Sequence, residues 1–263
     1  MSSKEPMGLL FDMVECIGCR SCVKACMGIH GFAGDPEQAT TLSATCYTTL
    51  NIEDDYPIRN MCRHCQKPSC ASVCPVGALQ KTEEGPVVYD ASRCIGCRYC
   101  MVACPFNIPR YEWRNPVPAV RKCDMCIDRQ REGKPPACAE ACPKGATLFG
   151  PRKDLVAEAW KRIRKSPRDY YPHVYGENEL GGTSVLFLAP YEVKTLGYKA
   201  ALGDQPLPEL TWQVLSKLPG IGVVSGAALM AIWWITKRRD EVALAEARPG
   251  TNGRARPEEG RQP

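Results

Sequence analysis

The stretch Cys94-Ile-Gly-Cys97-Arg-Tyr-Cys100-Met-Val-Ala-Cys104-Pro105 decides how this chain is read. Its spacing, C-x2-C-x2-C-x3-C, is the bacterial ferredoxin run for a cubane iron–sulfur cluster. A cubane offers four iron corners, each needing one thiolate. Three cysteines separated by two residues wrap three corners from one tight loop. The fourth is carried away by the chain and reaches a neighbouring cluster, so such tetrads work in pairs. Gly96 sits where the backbone turns sharply and approaches sulfur closely. Cys16, Cys19, Cys22 and Cys26 repeat the pattern with Gly18 in the same place, except that Met27 replaces the terminal proline.

Two looser copies complete the set. Cys62, Cys65, Cys70 and Cys74 carry two extra residues before the third cysteine, and Cys123, Cys126, Cys138 and Cys142 a much wider gap there. Cys74-Pro75 and Cys142-Pro143 keep the terminal Cys-Pro, and Pro75-Val-Gly77-Ala78 matches Pro143-Lys-Gly145-Ala146, the mark of an internal repeat. Sixteen of the seventeen cysteines thus fall into four tetrads, which predicts four [4Fe-4S] clusters and a path for electrons along them. Cys46 belongs to none of them and is expected to be a buried free thiol.

Other uses of cysteine fit less well. Structural zinc takes two C-x2-C pairs per metal and gains nothing from a third cysteine two residues on. Disulfide frameworks suit small secreted scaffolds, not 263 residues. No C-x-x-C-H occurs, so covalent haem is excluded. Nor is there a Ser/His/Asp or Cys/His nucleophile constellation. Of the three histidines, His30, His64 and His173, His64 lies between two tetrad cysteines and could tune a cluster, but a surface or packing role is the expected one.

Aromatics are only 8% of the chain, against 23 prolines and 22 glycines, so the first half cannot rest on long helices or a large apolar core. Clusters would replace that core, and the apo-protein is expected to be largely unfolded. The formal charge is +5. Each oxidised cubane with its thiolates carries about −2, which takes the loaded protein to about −3. The basic balance is therefore no argument for nucleic acid. Arg20, Lys24, Arg63, Lys67, Arg93 and Arg98 lie beside tetrad cysteines and offset that negative field, without the aromatic platform that an RNA-binding surface would need.

Along the chain, a possible strand covers Thr45–Ile52, and Gly77-Ala78-Leu79 and Pro86-Val-Val-Tyr89 flank a Glu83-Glu84-Gly85 turn as a short hairpin. Residues 107–118 form a proline-punctuated connector. Asp154 is expected to cap a helix running to about Lys165, with Leu155, Val156, Ala159, Trp160 and Ile163 on its packed face, and Ser166-Pro167 stops it. Residues 170–182 read as loop, Thr183–Ala189 as a buried strand, and 191–217 have no clear core pattern. Residues 218–236 contain no charge and match the roughly 20 apolar residues that cross a bilayer. Trp233 and Trp234 sit at the far end and Lys237-Arg238-Arg239 follow at once, so the tail should be cytoplasmic and the cysteine-rich part on the other side. Gly222-x-x-x-Gly226 would let another helix approach. The N-terminus shows no apolar export signal and no twin-arginine pair, which taken alone points to the cytoplasm; a loaded protein can also cross a membrane attached to a signal-bearing partner.

The expected architecture is α+β: two bacterial-ferredoxin-like two-cluster modules, one inserted in the other, plus one C-terminal transmembrane helix. Residues 8–55 and 109–150 make the first module with tetrads one and four; 56–108 make the inserted module with tetrads two and three. A connecting or partner-docking segment spans 151–217, the transmembrane helix 218–236 and a disordered polar tail 237–263.

The chain resembles the four-cluster iron–sulfur (beta) subunits of respiratory membrane oxidoreductases, above all those of membrane-bound nickel–iron hydrogenases and formate dehydrogenases. The likeness is carried by Cys94 to Arg110, by Lys122-Cys-Asp-Met-Cys-Ile-Asp128, by Tyr170-Tyr-Pro-His-Val-Tyr-Gly176, by Gly181-Gly-Thr183 and by the single C-terminal span. It implies four ligand sets. Cys16, Cys19 and Cys22 with Cys142 hold cluster 1, and Cys123, Cys126 and Cys138 with Cys26 hold cluster 2. Cys62, Cys65 and Cys70 with Cys104 hold cluster 3, and Cys94, Cys97 and Cys100 with Cys74 hold cluster 4. Some relatives replace one cysteine by tryptophan and hold a three-iron cluster; here all sixteen positions are cysteine.

The resemblance further implies an electron-transfer subunit without substrate chemistry of its own. It would relay electrons between a large catalytic subunit, of nickel–iron hydrogenase or molybdopterin/formate dehydrogenase type, and an integral membrane subunit carrying haem b or a quinone site. By the same likeness the first module faces the catalytic subunit, the second the membrane, and the cluster domain is periplasmic. A redox sensor or assembly factor is the alternative. A sensor needs one labile cluster and an output domain, and four tetrads with no second folded domain of any size do not suit it.

Overall fold

The computed structural model of the chain describes residues 5–113, 119–192 and 203–247. Met1–Leu210 form one compact unit and Thr211–Pro263 a second. The fold mixes short helices with small sheets. In chain order, the first unit contains β1 (Met7–Asp12), α1 (Ser21–Ile29), β2 (Thr48–Glu53), β3 (Tyr56–Met61), α2 (Ser69–Ser72), β4 (Leu79–Lys81), β5 (Val87–Tyr89), α3 (Tyr99–Ala103), β6 (Arg110–Tyr111), β7 (Val120–Arg121), α4 (Ile127–Arg131), α5 (Ala137–Glu140), β8 (Thr147–Pro151), α6 (Arg152–Lys165) and β9 (Val185–Leu188).

One three-stranded sheet, ordered β8-β1-β9, gathers distant parts of the chain. β1 pairs antiparallel with β8, Leu9 opposite Phe149, and parallel with β9, Phe11 opposite Phe187. Successive side chains of a strand point to opposite faces, and here both faces are covered. Leu10, Leu186 and Leu188 meet Leu155, Ala159 and Ile163 of α6, all buried. Leu9, Phe11, Val185 and Phe187 face the other way, into a core that contains Cys22, Cys26, Cys62, Cys123 and Cys138. The apolar layer that anchors α6 is thus backed directly by the cysteine-rich layer. Two faces buried explain why Leu9, Leu10 and Phe11 of β1 and all of β9 are continuous apolar runs rather than alternating ones.

The helix expected from Asp154 to Lys165 forms, with Leu155, Ala159 and Ile163 inward. Its start differs. α6 begins at Arg152, after Pro151, and Asp154 lies in the first turn without capping it. Arg152 is drawn back into the fold because its guanidinium donates to the carbonyls of Thr183, Gly176 and Glu177. Asp154 there still suits the positive end of the helix. The expected hairpin forms as β4–β5, Leu79 opposite Tyr89. The possible strand at Thr45–Ile52 forms later, as β2, and pairs with β3 around Asp54 and Asp55, both with positive φ. Val185–Leu188 is the strand read within Thr183–Ala189.

The last part of the chain is helical: α7 (Leu207–Leu215) and α8 (Leu218–Glu246). Pro219 stands in the first turn of α8, where its missing N–H costs nothing. Ile221, Val223, Val224, Leu229, Met230, Ile232, Trp233 and Trp234 are all exposed, so the helix presents apolar side chains all round. It is long and apolar enough to cross a bilayer. Lys237 lies 5.1 Å from the Trp233 ring centre, a cation–aromatic pair suited to a membrane–water interface. α8 runs past the expected end of the span to Glu246, through part of the stretch expected to be a disordered tail; residues 248–263 of that stretch lie outside the described residues. So do 114–118 of the proline-punctuated connector and 193–202 of the segment without a core pattern.

Candidate cluster-binding site

Each tetrad begins on a loop and runs into a short helix, with Cys26 inside α1 and Cys74, Cys104 and Cys142 just beyond α2, α3 and α5, and the four loops share one backbone device. The residue just before the second cysteine has positive φ in all four: Gly18 at 71°, His64 at 48°, Gly96 at 71° and Met125 at 57°. Only glycine takes this conformation at no steric cost. At His64 and Met125 the surroundings impose it, since both side chains are buried, at 0% and 1% exposure. The turn aims N–H groups at sulfur. Gly96 donates to Cys94 Sγ at 3.4 Å and Met125 to Cys123 Sγ at 3.3 Å. Ala78 donates to Cys74 Sγ at 3.2 Å. Such amide-to-sulfur bonds are the means by which protein steadies a thiolate-bound cluster. The repeat seen in sequence has a backbone counterpart: Gly77 donates to the Cys74 carbonyl and Gly145 to the Cys142 carbonyl, both at 3.3 Å.

The tetrads are interleaved rather than separate. α1 packs on α5, which joins the first tetrad to the fourth, and α2 packs on α3, which joins the second to the third. Burial pushes the Cys16 thiol up to about 11; the Gly18 N–H opposes the rise, and Cys22, Cys142 and Cys19 add to it. Burial also raises Cys26, with Cys138 and Cys126 as its thiol neighbours. Cys123 is raised by burial, Asp124, Cys26, Cys62 and Cys138. Cys65, raised by burial, has Cys62, Cys104 and Cys70 around it. Cys100 is pushed up to about 11 by burial and then by Cys94 and Cys97, with a smaller rise from Cys74. Cys74 goes the other way. Burial would raise it, but the N–H groups of Leu79, Val76, Ala78 and Gly77 outweigh that and hold it low.

The structure therefore brings together Cys16, Cys19, Cys22 and Cys142; Cys26, Cys123, Cys126 and Cys138; Cys62, Cys65, Cys70 and Cys104; and Cys74, Cys94, Cys97 and Cys100. The last quartet lines a cavity floored by Leu79 and Tyr89. Three further proximities link the quartets in a row: Cys22 with Cys138, Cys123 with Cys62, and Cys70 with Cys100. Only Cys19 and Cys97 are exposed, one in each terminal quartet. Cys46 stays outside, buried, its thiol donating to the Thr48 carbonyl at 3.2 Å.

The spacing of the sulfurs discriminates between metals. A tetrahedral zinc with Zn–S near 2.3 Å needs sulfurs about 3.8 Å apart. Among the described residues the only three ligand atoms of His, Cys, Asp or Glu within 4.8 Å of one another belong to His30, Asp124 and Cys126. No quartet closes that tightly, so the all-sulfur sets fit a body larger than a single ion.

Buried Arg63 and Lys122 and half-buried Lys81 stand beside the quartet of Cys62, Cys65, Cys70 and Cys104. Arg63, between Cys62 and Cys65, lies 4.3 Å from the Phe187 ring centre and 5.7 Å from that of Phe106. Lys81 donates to the His64 carbonyl at 3.1 Å, to Ser184 Oγ at 3.0 Å and to the Gly85 carbonyl. Lys122 donates to the carbonyls of Cys123 and Val87. His64 is fully buried; its Nδ1 accepts from the Val87 N–H at 2.9 Å, which ties the second loop to β5. Burial, Lys122 and Lys81 hold this imidazole well below its ordinary pKa and therefore neutral. Sequence reasoning noted Arg63 and His64 but had no signal that Lys81 and Lys122 point inward.

Residues 56–152 match the family model of the 4Fe-4S dicluster domain. A protein of Nitratidesulfovibrio vulgaris is 39% identical, over 92% of this chain and 70% of its own length. The hydrogenase-2 operon protein HybA of Escherichia coli O157:H7 is 40% identical over 71% of both chains. The iron–sulfur subunit of the nitrate-inducible formate dehydrogenase of Escherichia coli K12 is 34% identical, over 70% of this chain and 68% of that one. With sixteen cysteines in four tetrads, the chain belongs to the family of ferredoxin-type iron–sulfur subunits that carry [4Fe-4S] clusters in hydrogenases and formate dehydrogenases.

Proposed function

We propose that this protein is the electron relay between a catalytic subunit of hydrogenase or formate dehydrogenase type and a membrane subunit carrying haem b or a quinone site. One observation carries the reading: the four quartets follow one another in a row whose two exposed cysteines, Cys19 and Cys97, lie in the first and last. Each bound cubane takes up and releases one electron. The chain spaces these centres, shields the inner ones and sets their affinity for the electron through burial, charge and amide bonds to sulfur. The ligand sets are those the resemblance implies, and the four groupings of thiols support them. Cys16, Cys19, Cys22 and Cys142 form the end toward the catalytic subunit; Cys74, Cys94, Cys97 and Cys100 form the end toward the membrane.

The nested arrangement is part of the proposal. Residues 56–108 form a two-cluster module inserted between 8–55 and 109–150, a reading supported by the packing of α1 on α5 and of α2 on α3. Segment 151–217 is the connector, although α6 and β9 within it also complete the central sheet layer. α8 anchors the protein, with the cluster domain periplasmic and Lys237, Arg238 and Arg239 on the cytoplasmic side.

The test is Cys100→Ser in the intact complex. Oxidation of hydrogen or formate with an artificial acceptor at the catalytic subunit should persist, while electron delivery to quinone stops and paramagnetic resonance loses or alters one cluster signal of four. Unchanged quinone reduction with four unaltered signals would remove Cys100 from the path.

A further inference from the structure

Arg59 stands in β3, outside every tetrad, yet it is 1% exposed. Two of its three nitrogens are fixed by protein. Nε donates to Thr48 Oγ1 at 2.9 Å and Nη1 to Thr147 Oγ1 at 3.2 Å, so β2 and β8 clamp the guanidinium from two sides. The Phe11 ring centre lies 6.0 Å from it. Nη2 is buried with no oxygen or nitrogen partner among the described residues. A buried guanidinium without a counter-charge is costly enough that folds do not keep one idle. The charges that bear on it most are those of Cys138, Cys22 and Cys123, two in the second quartet and one in the first.

We infer that Arg59 is a potential-setting residue: its fixed positive charge favours the reduced state of the clusters held by the first and fourth tetrads, most strongly the one bound by Cys26, Cys123, Cys126 and Cys138. Reduction adds one negative charge to a group that already carries several in a dry interior. A cation that cannot turn away or lose its proton stabilises the product of that step more than the starting state. Arg59 meets both conditions. The hydroxyls of Thr48 and Thr147 fix its orientation, and a guanidinium keeps its proton across the whole physiological range. The quartet of Cys62, Cys65, Cys70 and Cys104 in the inserted module has Arg63, Lys81 and Lys122 in the same part, so removing Arg59 should act on the first module alone.

This inference rests on the four-cluster reading, and the experiment keeps the two apart. Iron content and spin count of the detergent-solubilised complex test the clusters; redox titration followed by paramagnetic resonance tests Arg59. In Arg59→Gln all four clusters should remain, and two of four potentials should fall, the larger change corresponding to about tenfold or more in the one-electron equilibrium, 59 mV per tenfold. Arg59→Lys, which keeps the charge, should fall less. Four unmoved potentials in Arg59→Gln, or an equal fall in both variants, would overturn the inference. Should neither variant load iron, the wild-type complex labelled with guanidino-15N arginine decides. Pulsed resonance should detect an arginine nitrogen coupled to a reduced cluster of the first module, and absence of that coupling overturns the proposal.

Discussion

Removing the Asp12 carboxylate, as Asp12→Ala, should loosen the protein at one identifiable end. Asp12 ends β1, is fully buried, and accepts four hydrogen bonds: from Arg162 Nη1 at 2.7 Å, Tyr170 Oη at 2.9 Å, and the N–H groups of Val14 at 3.0 Å and Glu15 at 3.3 Å. Truncation strands a buried phenol and a guanidinium that is 21% exposed. Breaking a buried pair on one side costs about 3–5 kcal/mol. Arg162 keeps Glu158 at 3.2 Å, which favours the lower end, about 3 kcal/mol. For a unit of this size that lowers the melting midpoint by roughly 6–12 °C. The assay is anaerobic thermal bleaching of the cluster absorption. Because Val14 and Glu15 lead directly into Cys16, the signal assigned to the Cys16 quartet should be lost first. A second variant, Arg162→Met, sharpens the test. Combined with Asp12→Ala it should cost less than the sum of the single changes by about 1.5 kcal/mol or more, since no charge is then stranded. Additivity to within about 0.5 kcal/mol would refute the coupling on which the reasoning rests.

The twin loop glycines should differ in tolerance. An added Cβ at Gly96 meets Tyr111 Oη at 2.9 Å, whereas at Gly18 the nearest atoms are at 3.7 Å, both with φ of +71°. Gly18→Ala should cost about 1–2 kcal/mol from the left-handed backbone alone, and Gly96→Ala more, read as weaker retention of the corresponding cluster signal. Anaerobic iron chelation should remove most ordered structure, while amides of β1, β8, β9 and α6 exchange last, because Leu10, Leu186, Leu155 and Ile163 pack without any cysteine; uniform loss of protection would contradict that. A reporter fused after Glu246 should report a cytoplasmic end, and charge reversal of Lys237, Arg238 and Arg239 together should lower that fraction. An unchanged fraction would show that these residues do not set the orientation.

What the sequence disclosed follows from how local each signal is. Cysteine spacing, the β4–β5 turn, the stripe of α6 and the uninterrupted apolar stretch of α8 all lie within short windows. The central sheet does not. Leu9 pairs with Phe149 and with Val185, partners that no local pattern connects, and β1 reads as a few ordinary apolar residues before Asp12. Arg59 was equally hidden, because an arginine in a strand normally points to water and only the clamp from Thr48 and Thr147 turns it inward. The glycines of two loops disclosed their turns, but His64 and Met125 adopt the same φ with side chains that give no hint of it.

β1 is made first, yet neither of its neighbours exists until β8 and β9 have been synthesised. A nascent chain therefore leaves the ribosome with all sixteen tetrad cysteines before the strand that closes over them, β9, has appeared. The chain's own connectivity thus makes closure of the sheet the last step open to the cysteine-rich part.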